Sequence, residues 1–322
     1  MVPLVKGILV FIMAGSMAAG EARAAIAPQQ ANPAENETQQ SEPAKLMQQI
    51  ALYERAARSA ETLHVERTTM SRIYSRLGDF YANAGLFLKA EDAMKRAVGD
   101  MKEGPRAELA LEYAQLGVVH VEMGKTREGE KDEMKALRIR ETMGDPILVA
   151  FTQSDLAGLY SIEQKFKKAV EYAQKAYEVL GDRSAVSVDD RVQVRLSLGF
   201  ALTAVRSCGK GLPILKDALD LARSSPAEPG RKMGYAEYVL GYGYWHCGDN
   251  DRASAWLQRG TTDMKADFGW DRSLYVNAMS QYAKFLRTTG QLAAAQSAEA
   301  VVNQADAVVD ARSMTGMSDG FR

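Results

Sequence analysis

Residues Tyr74–Gly85 read YSRLGDFYANAG. Tyr74, Leu77 and Tyr81 follow one another at intervals of three and four residues, which places them on one face of a helix. Gly78 lies on that stripe, small where a second helix must come close, and Gly85 breaks the segment. The pair Leu77-Gly78 returns as Leu116-Gly117, Leu156-Ala157, Leu198-Gly199, Leu240-Gly241 and Tyr282-Ala283. Its second member stands at 78, 117, 157, 199, 241 and 283, so the intervals are 39, 40, 42, 42 and 42 residues. A register kept this way marks an internal repeat, and its period is that of stacked helix pairs.

Each unit carries a second apolar stripe after its break, such as Ala90 and Ala97 in unit one and Ala169 and Ala176 in unit three. One helix pair cannot bury both faces alone, whereas stacked neighbours can. The reading is therefore an all-α chain of about six helix-turn-helix units. Residues 44–63 read as a lone helix that caps the N-terminal end through Leu52, Tyr53 and Ala56. Pro105 and Pro146 suit first helical turns, the latter behind Asp145 as a cap. Gly129 and Glu133 stand where Ala and a large apolar residue are usual, which predicts a loose or rotated second helix in unit two. Gly209, Gly211 and Pro213 read as a longer turn, with the second helix of unit four starting near Leu212.

The order of aromatic, Leu-Gly, Tyr and then Ala resembles the tetratricopeptide repeat, whose usual period is 34 residues. The longer period here is similar to the kinesin-light-chain type; the closest match is Ala136–Pro146 running into Leu156–Tyr160. About eight extra residues per unit predict long second helices. The resemblance covers about 44–308 and implies a right-handed α-solenoid; residues 309–322, which hold Ser, Gly and Asp near their end, read as a flexible tail. It also implies a concave face lined by the first helices. Carried over, that face presents Phe200 from unit four, Tyr235, Tyr238, Tyr242 and Trp245 from unit five, and Lys284 and Arg287 from unit six. Such rings either anchor an extended peptide or stack on a sugar, or they pack between neighbouring first helices; both readings stand at this point. Lys284 and Arg287 suit a ligand carboxylate. The members that clamp chaperone tails use Lys and Asn in unit one. Ser75, Asp79 and Ala82 stand there instead, which disfavours that activity.

The chain has 40 basic and 41 acidic side chains, a balance that gives no electrostatic reason to expect nucleic acid. Met1–Lys6 is weakly positive, Gly7–Gly20 is uncharged, and Ala22-Arg23-Ala24 is a small-x-small site. This layout predicts a signal peptide over 1–24, export to the periplasm or beyond, and no stable membrane insertion after cleavage. Residues 25–43 hold three prolines, four glutamines and one large apolar residue, a composition that predicts a disordered linker.

No nucleophile elbow, HExxH, phosphate loop or dinucleotide fingerprint is present, so no enzyme, cofactor or metal is expected. His64, His120 and His246 fall in separate units, and His120 takes the buried Tyr position of unit two. Cys208 and Cys247 fall near the turns of adjacent units, out of register by three residues. They form either a bridge, if their Cα atoms come within about 6.8 Å, or two buried thiols. The function that follows is a non-catalytic scaffold that binds a protein or peptide. A structural part of an envelope assembly and an enzyme on envelope glycan or peptide are the alternatives.

Overall fold

A computed structural model describes residues 42–224, 233–268 and 273–316. Those residues form thirteen helices and, among them, no strand. They are α1 (Glu42–Thr62), α2 (Arg67–Asn83), α3 (Phe87–Met101), α4 (Arg106–Glu122), α5 (Thr126–Met143), α6 (Pro146–Ile162), α7 (Phe166–Leu180), α8 (Val188–Ala204), α9 (Cys208–Ser224), α10 (Met233–His246), α11 (Asn250–Phe268), α12 (Ser273–Thr288) and α13 (Leu292–Gly316). The chain divides within α6 into two compact units, one ending at Thr152 and the other starting at Gln153. The predicted signal peptide and nearly all of the predicted linker lie outside the described residues, as do residues 317–322.

Six turns join first to second helices, and all are built alike. Their left-handed residues are Gly85, Gly124, Gln164, Arg206, Gly248 and Gly290, each seven positions after the small residue of its unit. The amide that follows each of them donates back to a carbonyl in the last turn of the helix: Leu86 to Tyr81, Lys125 to His120, Lys165 to Tyr160, Ser207 to Leu202, Asp249 to Tyr244 and Gln291 to Leu286. This bond closes a Schellman motif and satisfies a carbonyl that the helix end leaves open.

The small residues meet across the hairpin. Twelve positions after 78, 117, 157, 199, 241 and 283 stand Ala90, Gly129, Ala169, Gly211, Ala253 and Ala295. A Cβ on Gly199 would lie 2.6 Å from the Leu215 side chain, and one on Gly211 would lie 2.8 Å from the Gly199 carbonyl oxygen. Helices α8 and α9 thus touch backbone to backbone.

Within the first unit, α1 packs on α2 through Ile50, Tyr53 and Ala57, with Tyr53 and Phe80 rings 5.1 Å apart. Tyr81 donates to Glu54 at 2.6 Å, and Arg96 donates to Glu61 at 3.0 Å. Leu52 departs from the expectation: it is 54% exposed, because Ile50, Tyr53, Ala57 and Ala60 form the inward stripe instead. Asp145 caps α6 as expected, accepting from the amides of Ile147 and Leu148.

Helix α5 is not loose. It runs unbroken for 18 residues, and Glu133 is fully buried against Gly117, whose missing Cβ leaves the room. Second helices are the longer ones in units two, five and six, with 18 residues against 17, 19 against 14 and 25 against 16, as expected. In unit four both helices have 17 residues, and in units one and three the first helix has 17 and the second 15. Helix α9 begins at Cys208, four residues before Leu212, because the Gly199–Gly211 contact needs Gly211 inside the helix. Helix α13 runs on to Gly316, beyond residue 308.

Candidate functional site

The residues expected to line a ligand face lie in the second unit, on α8, α10 and α12. Phe200, Tyr235, Tyr238 and Tyr242 are all buried, so these rings pack between helices. Phe200 stands 5.7 Å from Tyr242 and 5.7 Å from His246, and Tyr242 lies 4.7 Å from His246 and 5.2 Å from Trp245. Trp245 continues the run to Phe285 at 5.5 Å, and Phe166 joins it at Phe200 from the start of α7. Fully buried Phe200 and Phe285 with nearly buried Tyr242 form a floor, on which Phe166, Trp245, His246 and Tyr282 stand half-buried. Centroid spacings of this size suit edge-on and tilted ring contacts.

Burial pushes the Tyr242 hydroxyl up to about 12. Burial, and then the Arg206 charge, push the His246 imidazole down to about 4, so it is neutral near pH 7. Its Nδ1 is buried with no hydrogen-bond partner among the described residues. The Tyr238 hydroxyl is likewise unpartnered, in a side chain with 0% exposure.

The two expected cations part company. Arg287, half exposed, is held by Glu299 of α13 through two bonds of 2.5 and 2.6 Å, so a ligand carboxylate would have to displace Glu299. Lys284 is half-buried and makes no ion pair among the described residues.

Two charged residues were missed from the sequence. Arg195 and Glu237 take the place of Tyr74 and Tyr113 in their units. Arg195 donates to Asp217 at 2.5 Å, to Asp182 at 2.6 Å and to the Gly181 carbonyl at 2.6 Å. Glu237, fully buried, accepts from Arg223 at 3.3 Å and pairs with Arg259 at 2.9 Å. The equivalent positions of the other units hold Tyr74, Tyr113, Gln153 and Met279, so a charge at these two alone was the available signal. Both residues serve packing between helices.

Cys208 and Cys247 are joined in a disulfide, with Cα atoms 5.9 Å apart. The three-residue offset is absorbed because Cys208 opens α9, Cys247 follows the end of α10, and these two helices are packed neighbours. His120 is a satisfied core residue, with Nδ1 2.9 Å from Asp132 and Nε2 3.3 Å from Glu91. Burial alone would raise the Glu91 carboxyl, but hydrogen bonds from Lys125 and Lys95 hold it down to about 2. Among the described residues no cluster of three or more His, Cys, Asp or Glu side chains is placed to hold a metal ion, and no helix is long and apolar enough to cross a membrane.

No protein-family profile matches the sequence, and no curated protein matches it. Solved structures do. The BtubC (BKLC) protein from P. vanneervenii is 22% identical with a TM-score of 0.56, over 69% of this chain and 91% of that one. The apo form of RapI is 13% identical with a TM-score of 0.66, over 83% and 93%. A Rap protein complexed with Competence and Sporulation Factor is 17% identical with a TM-score of 0.60, over 82% and 76%. The chain has a tetratricopeptide-like repeat fold. At these identities the likeness is one of fold. The tetratricopeptide-like units account for the constant turn and the small-residue contacts. They do not by themselves specify a ligand.

Proposed function

We propose that the protein is an exported, non-catalytic module that holds a protein or peptide partner on the first-helix face of its second unit. The observation that carries this reading is the row of half-buried rings, Trp245, His246 and Tyr282 from first helices with Phe166 from the start of α7, standing on a buried aromatic floor; Lys284 shares α12 with Tyr282 and makes no ion pair among the described residues. A rigid aromatic surface of this kind gives large contact area at small entropic cost, and Lys284 suits an acidic group of the partner. The complex between a Rap protein and Competence and Sporulation Factor supports the reading by analogy of fold.

The test is selection of ligands from a random 12-residue peptide library on the whole chain. Selected peptides are expected to lose at least tenfold in affinity for Trp245→Ala, a half-buried position whose truncation spares the floor. Those with an acidic group at the contact lose as much for Lys284→Ala. Equal binding by both variants, or no enrichment at all, rejects this face as the site. Export rests on the leader-like residues 1–24, and a bridged cysteine pair suits an oxidising compartment. Fractionation with N-terminal sequencing checks it, the expected mature start being Ala25. An uncleaved chain in the cytosolic fraction overturns export.

A further inference from the structure

The segment that opens α9, Cys208-Gly209-Lys210-Gly211-Leu212-Pro213, is a poor helix former. Two glycines carry the largest backbone entropy loss, and proline removes one amide from the ladder. Yet the helix starts at Cys208, with the Lys210 and Gly211 amides both donating to the Ser207 carbonyl. The disulfide is attached at the residue where local preference and observed structure part. Its other end is Cys247, next to His246 and two positions from Trp245, the rings of the candidate site. Neither cysteine is fully buried.

We propose that the Cys208–Cys247 bridge is a redox modification site: closed, it holds the first turn of α9 helical against α10; opened by a dithiol reductant, it lets that turn unwind to near Leu212. The proposal regulates the same face as the binding reading but does not need a ligand. In the reaction a thiolate of the dithiol attacks Sγ of Cys247, a mixed disulfide forms, and the bond to Cys208 breaks. Cys208 leaves as the thiolate, favoured there by the amides of the first helical turn and by Arg206 and Lys210 close by in sequence. The second sulfur of the dithiol then displaces Cys247, and the reductant departs as a disulfide. Two electrons pass to the bridge, and the two protons lost by the dithiol end on the two cysteines.

The Gly199–Gly211 contact works in the opposite direction, since it favours a helical Gly211 whatever the state of the bridge. The experiment therefore weighs the two. The full chain is alkylated with iodoacetamide before and after dithiothreitol, and hydrogen exchange is followed at Gly211, Leu212 and Ile214. No label before reduction and two after it are expected, with at least a tenfold loss of protection at those amides. The Cys208→Ser, Cys247→Ser double variant should show the same loss under oxidising conditions, with α4 and α5 unchanged in both cases. Labelling without reductant overturns the proposal. So does unchanged exchange, which would mean that helix packing holds the turn unaided. So does a rise spread evenly over α8 to α11, which would report general loosening. Because no ligand enters these measurements, failure of the binding role leaves the outcome untouched.

Discussion

Gln164 and Arg206 are the two hairpin-turn residues that adopt positive φ, at 58° and 63°, without being glycine. A side chain in that region costs roughly 1–2 kcal/mol, part of which glycine gives back through the entropy of the unfolded chain. Gln164→Gly and Arg206→Gly should each stabilise the protein by up to about 1 kcal/mol, read as a rise of roughly 2–4 °C in Tm. Gly85→Ala, at a glycine with φ 74°, should lower it. Two ionisable residues set opposing pH trends. Glu122, pushed up to about 7 by burial, binds a proton in the folded chain that it sheds when unfolded, so it costs stability as pH rises from about 4.5 to 7. His246, pushed down to about 4, costs stability as pH falls from about 6.5 to 4. Calorimetry over a pH series should show a Tm advantage for Glu122→Gln that grows from about pH 4.5 to 7. His246→Phe should remove a loss that the wild type shows below about pH 6.5.

At the scale of helices, contact between α8 and α9 through Gly199 and Gly211 has a direct consequence. Gly211→Ala should destabilise by roughly 1–3 kcal/mol, because the new methyl meets backbone and Thr203. Gly209→Ala, two residues earlier and facing open space, should be neutral or stabilising by about 0.5–1 kcal/mol. Tyr238→Phe removes a buried hydroxyl that has no partner among the described residues, so chemical denaturation should show no loss of stability. The helices themselves were legible because Tyr, Leu and small residues kept one register through six units. The start of α9 was not, since Gly209, Gly211 and Pro213 obey local propensity only until a neighbouring helix overrides it. The aromatic run was legible as residues but not as floor and rim. Which ring is covered depends on Phe166 and Phe285, which stand far from Tyr242 in sequence.

Across the whole molecule, both cysteines lie in the second compact unit and the first contains none. A bridge that closes 39 residues restricts the unfolded chain by about 4 kcal/mol in the loop-entropy account. Reduction should therefore lower the midpoint of whatever transition exposes α8–α11, while protection in α2–α5 stays constant; fragment-resolved exchange in rising denaturant checks this. The ends of the hairpins differ in kind. Every turn inside a hairpin spans three residues, yet the links between hairpins vary, two residues before α6 and seven before α8. Ser184 and Ala185 are exposed in the longer link. An epitope or dye-binding tag grafted there would break one backbone bond, from Val186 to Arg183, whereas the same graft at Glu163–Lys165 would break two, from Gln164 to Ser161 and from Lys165 to Tyr160, and with them the helix-ending motif. The periodic turn thus tells an engineer which rim of each hairpin accepts cargo.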